Sequence, residues 1–142
     1  MKSITKRLLL IIFLLLSVTF LTNCSKDDPP PAPTVEEMLT ADTWYQESQS
    51  NVAFNDCQKH SSYRFLASGN FIVEVFYENS DEYCVSISGA GHWELTSDTD
   101  IHITSNSGAS YIFAIVNISE EELVVLTDDD LTGIFDKNPG EG

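Results

Sequence analysis

Apolar and polar positions fall into two regimes along this chain. Leu8 to Phe20 is an almost unbroken apolar run, whereas the residues beyond Pro33 come in short bursts with period two. That second pattern belongs to strands that bury one face and wet the other. Strands are predicted over Thr43 to Val52, Tyr63 to Leu66, Phe71 to Tyr77, Tyr83 to Ser88, His92 to Leu95, Ile101 to Thr104, Tyr111 to Ile118 and Leu123 to Thr127, with a last edge strand at Leu131 to Phe135. Ser68-Gly69-Asn70 reads as a hairpin turn, and Gly89-Ala90-Gly91 as a break between two strands. Thr34-Val35-Glu36-Glu37 fits a capping box and predicts one short helical turn through about Thr40. About eight short strands without intervening helices imply an all-β antiparallel meander, closed as a small barrel or folded as a sandwich. Its inward positions should be Trp44, Phe65, Phe71, Val73, Val75, Trp93, Leu95, Ile101, Ile103, Phe113, Ile115, Leu123 and Val125.

The N-terminal regime carries different information. Lys2, Lys6 and Arg7 precede the apolar run, and the run ends at Leu21-Thr22-Asn23-Cys24. At about 1.5 Å per residue it is short for a membrane-spanning helix of roughly 20 residues, so residues 1–23 read as a signal peptide. The Leu-x-x-Cys arrangement resembles the lipobox of bacterial lipoproteins. That resemblance implies cleavage before Cys24, lipidation of its thiol and acylation of the new amino terminus, since stable anchoring takes more than one chain. Ser25-Lys26-Asp27-Asp28 resembles the tag that follows the lipidated cysteine in Bacteroidetes-type lipoproteins, where it is associated with display on the outer cell surface. The expected location is therefore the outer membrane, lipid-anchored, at the cell surface. Residues 24–33 form the tether, extended by Pro29, Pro30, Pro31 and Pro33. A domain of about 100 residues, 34–136, follows, and 137–142 reads as a frayed, disordered tail.

Charge narrows the choice of partners. The chain has 7 basic and 22 acidic residues, and loss of residues 1–23 leaves 4 basic ones, a net charge of −18. Such acidity argues against nucleic acid and against direct docking on anionic headgroups. The membrane is expected to be met through the Cys24 lipid instead. With Cys24 committed, Cys57 and Cys84 remain, and two cysteines in an exported domain read as one disulfide.

Candidate chemistry is sparse. Opposing strands would place Glu94 across from His102, with His92 two residues along on the same face. Two imidazoles and a carboxylate could hold zinc with one open position, but the face is outward and reads more simply as a polar surface. Asp128, Asp130, Thr132 and Gly133 echo the start of a calcium loop, yet the closing glutamate is absent, with Pro139 in its place, and no helices flank it. Asp98 and Asp100 lie on one turn rather than across a cleft, which does not suit glycoside hydrolysis. His60 follows Cys57 by three residues, a spacing that means little when that cysteine is bridged. No catalytic residue, metal site or cofactor is expected, and the chain is not read as an enzyme.

The order of motifs adds a family resemblance. Leu39-x-x-x-x-Trp44 is followed by a cysteine, then Phe65-x-x-x-Gly69-x-Phe71, a second cysteine, Gly91-x-Trp93 and Ile118-Ser-Glu-Glu-Glu-Leu123. Nearly the whole mature domain thus resembles the lipocalin-like domain of small Bacteroidetes lipoproteins. Larger lipocalins open their first strand with Gly-x-Trp; here Asp42-Thr43-Trp44 lacks the glycine. The resemblance implies a β-barrel with an apolar cavity and names no ligand. The expected function is a non-catalytic binding module for a small apolar ligand. The alternative is a structural or accessory subunit of an outer-membrane protein complex, with a filled core, an exposed apolar patch and no ligand.

Overall fold

A computed structural model describes residues 30–140; residues 1–23, read as a signal peptide, Cys24 and the Ser25-Lys26-Asp27-Asp28 stretch lie outside them. Thr34 caps helix α1 (Val35–Thr40) as the capping box requires. Its hydroxyl accepts from the Glu37 N–H, while the Glu37 carboxylate accepts from the Thr34 N–H at 2.7 Å. That second bond holds the Glu37 carboxyl below the usual carboxylate range. Among the described residues no helix is long and apolar enough to cross a membrane.

Nine strands follow: β1 (Thr43–Gln49), β2 (Val52–Ala53), β3 (Ser62–Phe65), β4 (Asn70–Glu78), β5 (Cys84–Leu95), β6 (Asp100–Ser105), β7 (Ser110–Ile118), β8 (Glu122–Thr127) and β9 (Thr132–Asp136). Consecutive strands from β3 onward pair antiparallel, and β1 pairs with both β3 and β9. Eight of the described strands therefore close a barrel, with β2 appended as a two-residue flap on β1. Closure decides between the two architectures the sequence permits, in favour of the barrel.

Three predicted features need correction. The strand expected over Thr43 to Val52 is broken by a two-residue hairpin loop. Ser50 and Asn51 both have positive φ, 49° and 66°, which matches the turn that suits the right-handed twist of paired strands. The Gly89-Ala90-Gly91 break does not exist: β5 runs straight through it, because those glycines relieve close approaches rather than end the ladder. The last strand is not an edge. It pairs with β8 on one side and β1 on the other, so β9 is the closing stave.

Alternation then sorts the side chains. All thirteen predicted inward positions face the interior, joined by Leu39, Tyr63 and Phe135. The antiparallel order brings the starts of β1, β4, β6 and β8 and the ends of β3, β5, β7 and β9 to one end of the barrel. That end is solid. Trp44 and Ile101 are fully buried, as is Leu39 of α1, which plugs the opening. The Trp44 indole N–H donates to the Leu39 carbonyl at 3.1 Å, and the Trp93 indole donates to the Leu66 carbonyl at 2.9 Å. Buried aromatics thus keep their polar edges satisfied. Just past β9, the Lys137 ammonium lies 4.9 Å from the centre of the Trp44 ring, so the segment expected to fray starts with an anchored residue.

Candidate functional site: an apolar cavity at the open end

The opposite end is built differently. β4 and β5 form the longest hairpin, and their inward pairs run Phe71–Gly91, Val73–Gly89, Val75–Ile87 and Tyr77–Val85. Moving outward along this face the side chains lose cover: Tyr77 is 42% exposed and Ile87 59%. The hairpin stands beyond the solid core as one wall of an open cup. Inside it lies a cavity of about 490 Å³. Its walls come from Phe71, Val73 and Val75 on β4, Ile103 on β6, and Tyr111 and Phe113 on β7, while Ser105, Asn106 and Ser107 of the β6–β7 turn supply a polar rim.

Two features create this space. One is Gly89, which lies against the cavity and leaves room that any larger residue would occupy. A Cβ there would sit 3.1 Å from Val73 Cγ1, in space the cavity now holds. The other is Tyr63, whose ring reaches across the barrel. Its centroid lies 6.0 Å from Phe71, 6.3 Å from Phe113 and 5.0 Å from Phe135, residues on three different strands. Tyr63 thereby forms the floor that separates cavity from solid core. Its hydroxyl donates to Gln46 Oε1 at 3.4 Å, and burial pushes the phenol pKa up.

The outer side of the same wall is braced. Between β2 and β3 the chain makes an excursion with a 3-10 turn at Gln58–His60. Cys57 and Cys84 form the expected disulfide, tying this excursion to the start of β5. Next to it, the Ser61 hydroxyl oxygen accepts from the Phe76 N–H at 2.9 Å, and the His60 ring packs against Phe76 with centroids 5.6 Å apart. Lys59 and Glu47 pair at 2.7 Å, which raises the Lys59 pKa and fastens the excursion to β1.

The sequence-level candidates lie elsewhere. Glu94 does oppose His102, with His92 on the same outward face, and among the described residues no group of three or more His, Cys, Asp or Glu side chains could hold a metal ion. Asp128 accepts from the Ile112 N–H at 2.9 Å, and Thr132 and Gly133 are committed to the β9 ladder. The acidic turn is thus occupied by strand pairing. Asp100 accepts from the Ser97 hydroxyl at 2.7 Å on an exposed turn at the solid end, far along the strands from the cavity.

This geometry meets the comparisons with known proteins on one point. Residues 40–125 match the lipocalin-like domain family. The chain belongs to the lipocalin-like domain family. Two solved structures share the lipocalin-like fold at low identity. A lipocalin-like protein from Bacteroides uniformis is 14% identical with a TM-score of 0.53, the match covering 71% of this chain and 99% of that one. An uncharacterized protein from Bacteroides eggerthii is 11% identical with a TM-score of 0.51, covering 68% of this chain and 98% of that one. No curated protein matches the chain. In this lipocalin-like barrel, Tyr63, Gly89 and Tyr111, with Ser105, Asn106 and Ser107 on the rim, are site residues that the expected inward set leaves out. For Tyr63 and Tyr111 the signal was present, since each lies two residues from a position assigned inward, Phe65 and Phe113, but a tyrosine was not read as a wall; Gly89 fell in an expected break and was not read as space.

Proposed function

We propose that the chain is a lipid-anchored, non-catalytic binding module that takes a small apolar ligand into the open end of its barrel. The cavity of about 490 Å³, walled by apolar side chains and rimmed by neutral polar ones, carries this reading. An eight-stranded barrel has an interior just wide enough for one small ligand when side chains do not fill it, and this barrel is filled at one end only. The Leu21-Thr22-Asn23-Cys24 stretch and the acidic residues behind it support anchoring through Cys24 at the outer membrane, facing the cell surface.

Two measurements test the two halves. The neutral dye N-phenyl-1-naphthylamine should brighten on binding the mature protein. Val75→Trp, which places bulk in the cavity, should abolish that signal while the melting temperature holds. Absence of dye uptake by the unaltered protein would sink ligand binding and favour the accessory-subunit alternative. Intact mass spectrometry of protein taken from its own envelope should find the chain starting at Cys24 with diacylglycerol and acyl mass; an unmodified Cys24 overturns the anchor.

A further inference from the structure

Whatever enters the cavity meets no counter-charge. The residues around it include no Lys, Arg, His, Asp or Glu. Among the described residues the cations are Lys59, Arg64 and Lys137, and all are placed elsewhere. Lys59 is paired with Glu47 on the outer side, Lys137 covers Trp44 at the solid end, and Arg64 is exposed on the outward face of β3. The turns at the open end carry the opposite sign: Glu78, Asp81 and Glu82 around the β4–β5 turn, and Asp128, Asp129 and Asp130 between β8 and β9. An anion must approach through that negative field and then give up its water with no cation to replace it.

We propose that the cavity selects against anions, and that its ligand is an apolar molecule with an uncharged hydrogen-bonding head such as a hydroxyl or amide. This rests on the barrel being a ligand-binding module. The rim suits such a head: Ser105, Asn106 and Ser107 can each donate or accept a hydrogen bond, so a neutral head is matched without any charge being buried. The floor behaves consistently, since burial already disfavours the ionised form of Tyr63, the residue there that could become an anion.

Displacement of N-phenyl-1-naphthylamine from the mature full-length protein tests the inference with a matched pair, 1-decanol and decanoate, at neutral pH. Decanol should displace the dye at concentrations about tenfold or more below those needed for decanoate, a ratio equivalent to roughly 1.4 kcal/mol per decade. Decanoate that competes as well as decanol overturns the selectivity. Absence of dye uptake would instead remove the binding module itself, a different result from uptake without selectivity. The generic difference in hydration between the two probes is separated by Asn106→Lys, which sets a cation on the rim at an exposed side chain. It should strengthen decanoate several-fold relative to decanol; a decanol-to-decanoate ratio unmoved by that substitution overturns the electrostatic cause.

Discussion

Single residues set the boundary between core and cavity. Tyr63 does so with an aromatic ring wedged among three phenylalanines and a hydroxyl held by Gln46. Because burial raises its pKa, the unfolded chain loses the phenol proton first as pH rises. The native state then holds more protons than the unfolded one. The contribution is fully present below about pH 10, the ordinary tyrosine value, and is lost as pH climbs through the folded value. Urea midpoints measured across this range should fall for the unaltered protein, and fall less for Tyr63→Phe. At neutral pH the same substitution should cost no more than about 1 kcal/mol, since it removes one long neutral hydrogen bond.

Among the elements, β5 shows most clearly how local signals mislead. Two glycines in three residues read as an interruption, yet they serve a continuous strand that passes close to its neighbours. A Cβ on Gly91 would overlap the Thr104 carbonyl of β6, whereas a Cβ on Gly89 meets only a movable Val73 methyl. Gly91→Ala should therefore destabilise the protein by about 2 kcal/mol or more through overpacking against backbone. Gly89→Ala should be near neutral for stability while narrowing the cavity; thermal melting of the two variants checks the contrast. Strand positions and the inward face were legible because period-two alternation is a local property. The Ser50-Asn51 turn was not, since it has no glycine to announce its positive φ. The closing role of β9 was hidden for another reason: its second partner, β1, lies at the far end of the domain sequence. The cavity walls Phe71, Val73, Val75, Ile103 and Phe113 were identified as inward, but alternation says only which side a residue faces. Whether that side is packed or empty depends on volumes summed across several strands.

At the scale of the whole molecule, the barrel is divided into a solid end, which packs, and a hollow end, which holds the cavity. The hollow end needs outside support, and the disulfide excursion provides it. The bond joins residues 27 apart, a loop for which chain-entropy arguments give about 3–4 kcal/mol. Reduction, or Cys57→Ser with Cys84→Ser, should lower the urea midpoint accordingly. It should also weaken dye uptake, because the braced β4–β5 wall loses its strap. The pairing of β1 with β9 has a further consequence, for the order of events in folding. The first and last staves are separated by almost the entire domain, so their ladder is a contact of high sequence separation and forms slowly. Until Thr132–Asp136 is in place, β1 and β8 each present an unpaired edge to other chains. A nascent copy is accordingly a sticky intermediate, and one missing only its last strand should assemble into aggregates rather than wait as a soluble, nearly finished barrel.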